Sequence, residues 1–157
     1  MSAGGGGQGR QQLQQITQAI EAIEEEVEEV KAEIELLRQE QRDIDDAADA
    51  LDNLDTSTTV QMPLGGGTYV RAAVEDIDEV IVTVGGGYAA EQNQDDATET
   101  LERKKERIDD QIDSLQDEAT DLEEERGELE SQAQQLQQQM QQQQMQQLQQ
   151  QQQGDDE

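Results

Sequence analysis

Two glycine triplets, Gly65-Gly66-Gly67 and Gly85-Gly86-Gly87, invite a chemical reading first, because backbone N–H groups in glycine-rich loops can cradle phosphates. A phosphate loop needs Gly-Lys-Ser/Thr after the glycines and a helix starting there, and neither triplet is followed by that motif or opens a helix. The acidic pieces Asp43-Ile44-Asp45-Asp46 and Asp76-Ile77-Asp78 lack the central glycine and closing glutamate of a calcium loop, so they read as solvated faces or loops. The chain contains no His and no Cys, which removes imidazole and thiolate chemistry. A carboxylate pair would still need a dry pocket to separate its two pKa values. The residue types therefore predict a protein that is not an enzyme and takes no cofactor and no metal.

The triplets make better sense as turns. Around them apolar and polar residues alternate: Val60, Met62 and Leu64 share one face of a first strand, Val70, Ala72 and Val74 of a second, Val80, Val82 and Val84 of a third, and Tyr88 and Ala90 of a fourth. Each triplet then closes a β-hairpin, where glycine supplies positive φ without a steric cost. Pro63 cannot donate to a ladder and belongs at an edge or bulge. Glu75-Asp76-Ile77-Asp78 links the hairpins, and Asn93 or Asp95 caps the second helix. Hairpins with one apolar face are marginal alone in water, so this sheet is expected to continue into other subunits through Val60, Met62, Leu64, Val70, Val80, Val82 and Val84.

On either side lie heptads. Leu13, Ile16, Ile20, Ile23, Val27, Val30, Ile34, Leu37, Ile44 and Leu51 advance in alternating steps of three and four, with Gln41 and Ala48 filling the remaining seam positions. Leu101, Ile108, Leu115, Leu122, Leu129 and Leu136 recur every seven residues, interleaved with Lys105, Ile112, Ala119, Arg126, Ala133 and Met140. The fold class is thus α+β: a long antiparallel two-helix coiled coil whose arms are joined by two central β-hairpins, with Leu13 near Leu136. The expected parts are a disordered glycine-rich start at 1–9, a helix at 10–55, the hairpins at 56–92, a second helix at 93–136, and at 137–157 a glutamine-rich helix extension or disordered tail.

Composition limits the rest. Val, Ile, Leu and Phe make only 29 of 157 residues and the net charge is −29, which without the heptads would indicate disorder. The 39 acidic residues stand against 7 Arg and 3 Lys. That surface repels phosphate backbones, so no nucleic-acid partner is expected, and Arg103-Lys104-Lys105-Glu106-Arg107 is the sole basic cluster. A lysine-poor acidic balance suits molar salt, where the Debye length shrinks to about 3 Å, and suggests a halophilic source. No apolar run is long enough to span a membrane, and the glycine-rich start lacks a signal-peptide core, so a cytoplasmic protein is expected.

The order of helix, Val-Gln-Met-Pro-Leu with Gly, Tyr-Val-Arg-Ala, acidic link, Val-Ile-Val-Thr-Val-Gly, Gly-Tyr-Ala-Ala-Glu and a helix with Ala97 and Arg103 resembles the alpha-class subunits of archaeal prefoldins. The likeness covers about 20–130. It implies a hexamer of two alpha and four beta subunits, hence a second copy of this chain, with the hairpins forming an oligomeric β-barrel. It also implies an ATP-independent holdase that captures unfolded proteins at its coiled-coil tips and passes them to a group II chaperonin, the thermosome. By the same resemblance, Leu13, Ile16, Ile20, Leu136, Met140, Met145 and Leu148 are the expected client contacts. The run from Gln137 to Gln153, with 14 Gln, departs from the pattern. A passive coiled-coil scaffold or tether is the competing reading.

Overall fold

The computed structural model describes residues 5–154, so the first residues of the expected disordered start lie outside it. Six elements run in sequence: α1 Gly5–Asn53, β1 Thr59–Gly65, β2 Thr68–Ala73, β3 Val80–Gly85, β4 Tyr88–Gln92 and α2 Gln94–Gly154. Two long helices thus flank two small antiparallel hairpins. The chain divides into two compact units, one of residues 34–114 and the other of the remaining ends of α1 and α2.

In the unit of residues 34–114, β1 pairs with β2 and β3 with β4, as separate two-stranded sheets. Both carry the same irregularity: the register shifts by one residue between Pro63 and Gly65 and again between Thr83 and Gly85. The glycine triplets come directly after these bulges, and the two-residue turns at Gly66-Gly67 and Gly86-Gly87 all have positive φ, the requirement of a type I′ connection. Pro63 stands beside the first bulge, a position where strands tolerate a residue with no N–H to donate.

Asn93 caps α2. Its side-chain oxygen accepts a hydrogen bond from Asp96 N–H at 2.8 Å and its carbonyl accepts one from Ala97 N–H at 2.9 Å. Asp95 and Asp96 occupy the first turn, where the helix dipole favours negative charge. The Gln94 amide reaches back to the carbonyls of Leu51 and Leu54, satisfying acceptors freed where α1 ends. Here the helices run antiparallel, since Gln41 and Asp45 of α1 meet Asp109 and Lys105 of α2 in descending order. Ile34, Ile44, Leu101, Ile108 and Ile112 are buried between them, each contributing roughly 1.5–3 kcal/mol.

In the other unit Ile23, Val27 and Val30 are buried on α1 and Ala119 on α2. Lys31 pairs with Glu123 at 3.1 Å, an exposed bridge worth at most about 1 kcal/mol. Gly9 stands against the Met140 side chain. Arg126 holds a seam position in α2, where its Nε is buried without a hydrogen bond and lies 3.7 Å from a Glu130 oxygen.

Gly5 to Gly9 are helical although glycine is a poor helix former, because propagation from an established helix is far easier than nucleation. At the other end α2 runs through the glutamine run to Gly154.

Candidate functional site

The features that stand out among the described residues are two exposed apolar strips. The first is on the hairpin of β1 and β2. Val60, Met62, Val70 and Ala72 share a face by register, and the apolar character of that face extends to Leu64 at the bulge. Exposure rises toward the turn: Val60 and Ala72 are half-buried, whereas Val70 is 42% exposed, Met62 48% and Leu64 63%.

The equivalent face of the second hairpin is covered by its own chain. Val82 is 7% exposed, and Val80, Val84 and Ala90 are half-buried. The hairpin adjoins α2: Thr100 Oγ1 donates to Gln92 Oε1 at 2.8 Å, and Val84 and Ile108 line one groove. Within the single chain Val82 is therefore buried, whereas Met62 and Leu64 are exposed. Repeating alternation places residues on faces but does not say which face is already occupied.

Sequence reasoning overlooked Ile81 and Tyr69. Ile81 is 75% exposed and pairs with Glu91 on the solvent side of the second hairpin. Tyr69 is 61% exposed and pairs with Pro63 on the face opposite Met62. The available signal was an apolar side chain at an odd position in a strand whose even positions are apolar too.

The second strip lies at the helix ends. Leu13, Ile16 and Ile20 of α1 and Leu136 and Met140 of α2 are half-buried along the seam. Beyond them every residue from 141 to 154 is exposed, with Met145 at 63% and Leu148 at 60%. Gly9 already faces Met140 near the start of α1, so α2 continues past the described part of its partner helix. An apolar side chain on that stretch has no facing helix to cover it among the described residues.

Residues 23–153 match the family model of the prefoldin subunit, a span that takes in α1 from Ile23 onward, all four strands and nearly all of α2. The chain belongs to the prefoldin subunit family. Among curated prefoldins, the prefoldin subunit alpha of Haloarcula marismortui is 61% identical over 57 residues, 36% of this chain and 37% of that relative. The prefoldin subunit alpha of Natronomonas pharaonis is 69% identical over 48 residues, 31% of this chain and 32% of that one. The matched segments thus span about a third of the length of these relatives. A chain of the filamentous PFD of Methanocaldococcus jannaschii, solved by cryo-EM, is 27% identical with a TM-score of 0.49, covering 81% of this chain and 96% of that one.

Proposed function

We propose that this prefoldin-family chain is the alpha subunit of a hetero-hexamer of two alpha and four beta subunits, an ATP-independent holdase of a halophilic cytoplasm. Val60, Met62, Leu64, Val70, Val80, Val82 and Val84 join subunits into a barrel platform, Met62, Leu64 and Val70 being the most exposed of them. Leu13, Ile16, Ile20, Leu136, Met140, Met145 and Leu148 contact unfolded clients, which pass to a group II chaperonin, the thermosome. The observation that carries this reading is the uncovered end of α2, where Met145 and Leu148 are 63% and 60% exposed. Flexible methionine and leucine side chains on a polar helix suit weak, varied apolar contacts, which add up over several arms. The acid excess and the salt-loving organisms of the similar chains support the halophilic source.

The test combines assembly with client protection in high salt. The chain is mixed with beta-class subunits, the mass of the complex is measured, and aggregation of a denatured client is followed. A variant ending before Leu136 with Leu13, Ile16 and Ile20 replaced by Ser should assemble as the parent does and fail to protect the client. ATP should change neither result. Equal protection by the variant would relocate capture to the inner faces of the arms or the barrel. If neither form protects any client, the chain is a scaffold.

A further inference from the structure

A groove of about 390 Å³ lies in the hairpin-bearing unit between the tip of β3 and the flank of α2. Val84 and Ile108 supply apolar lining, Lys104 and Arg107 stand on the α2 side, and Glu40 of α1 lies on the remaining wall. Four of the chain's 10 cations cluster here, at Arg103, Lys104, Lys105 and Arg107. Two are already engaged, Arg103 with Glu99 and Lys105 with Asp45. Lys104 and Arg107 pair with no carboxylate among the described residues, although the chain carries 39 acidic residues. The two unengaged members of the cluster are thus the two that line the groove.

We propose that this groove docks a short acidic segment of a partner polypeptide, with carboxylates on Lys104 and Arg107 and one aliphatic side chain against Val84 and Ile108. The planar guanidinium of Arg107 suits a bidentate carboxylate, and Lys104 adds a mobile point charge one helical turn away. Glu40 repels acids from the α1 wall and directs them to α2. A nucleic acid fits poorly, because a continuous phosphate backbone would meet the surrounding acidic surface, whereas two or three carboxylates engage the local cations alone. Apart from Val84, the groove shares no residue with the assembly positions or the helix ends, so it stands whether or not the holdase reading does.

The probe is a fluorescently labelled, capped peptide Glu-Asp-Ile-Asp-Glu, titrated by anisotropy against the full-length protein in salt that keeps it folded by circular dichroism. Saturable binding is expected, weakening as salt rises. The double variant Lys104→Gln with Arg107→Gln should weaken it at least about tenfold, and Val84→Ser should weaken it less. A neutral Gln-Asn-Ile-Asn-Gln peptide should not bind. Absence of binding to the parent, or unchanged binding to the double variant, overturns the proposal. Equal competition by a single-stranded oligonucleotide of the same charge would make the groove a general polyanion site and overturn the peptide assignment. A changed mass of the hexamer assembled with the double variant would make it an assembly contact, which also overturns it.

Discussion

The ammonium of Lys105 on α2 donates to both carboxylate oxygens of Asp45 on α1, at 2.7 and 2.9 Å, so a charged pair bridges the helices at a position where the seam would otherwise be apolar. One layer away Gln41 donates to Lys105 O at 3.3 Å and to Asp109. A polar layer in a coiled coil favours one register over its neighbours at some cost in stability.

The Asp45 hydrogen bond, reinforced by the charges of Asp45 and Asp109 and opposed by desolvation, raises the pKa of Lys105 above its usual 10.5. A raised lysine pKa contributes stability that is complete below the unfolded value of 10.5 and is lost as pH rises through the higher folded value. Asp45→Asn removes this contribution. Urea midpoints should therefore fall more steeply above that pH in the parent than in Asp45→Asn, and parallel curves would mean the bridge does not persist in solution.

Val82 and Ile81 are neighbours in β3 with opposite fates, 7% and 75% exposed. Val82→Asp should destabilise the isolated chain by about 3–5 kcal/mol, because the charge is buried without a partner. Ile81→Asp should stay within about 0.5 kcal/mol of the parent. Thermal melting of the two variants checks this directly, and similar midpoints would show that Val82 is not buried in the isolated chain.

With a net charge of −29, screening should stabilise the arms. The melting midpoint followed by circular dichroism should rise between about 0.1 and 1 M salt, as the Debye length falls from roughly 10 to 3 Å. A falling midpoint would remove the halophilic interpretation.

Gly127 lies inside α2 with nothing within 4 Å of where a Cβ would project. Gly127→Ala should stabilise by about 0.5–1 kcal/mol, since alanine loses less backbone entropy in a helix. A midpoint higher by roughly 2–3 °C is expected. A lower one would indicate that the helix is interrupted there.

Much of this fold is legible in the spacing of a few residue types. The steps from Leu13 to Leu51 and from Leu101 to Met140 mark the half-buried and buried positions of both helices, because a seam repeated every seven residues leaves little freedom in which face turns inward. The glycine triplets announce the turns for the same local reason, positive φ. The features that stayed hidden depend on distant parts of the chain. Nothing near Val82 reveals that it is buried while Met62 is left bare, nor that Gln94 spans back to the end of α1. The groove at Lys104 and Arg107 was hidden likewise, since the basic run is visible but its neighbours on β3 are not.

The unaccompanied glutamine stretch of α2 also acts as an adjustable ruler. Because residues 141–154 are all exposed, glutamines can be inserted or deleted there without disturbing any layer nearer the hairpins. Each residue changes the reach of the helix by about 1.5 Å and turns the side chains beyond it by about 100°. Seven residues return Met145 and Leu148 to nearly their original side, whereas two or five swing them away. Evolution can thus tune how far these side chains extend in steps of about 10 Å while keeping their direction, with no compensating change elsewhere in the chain.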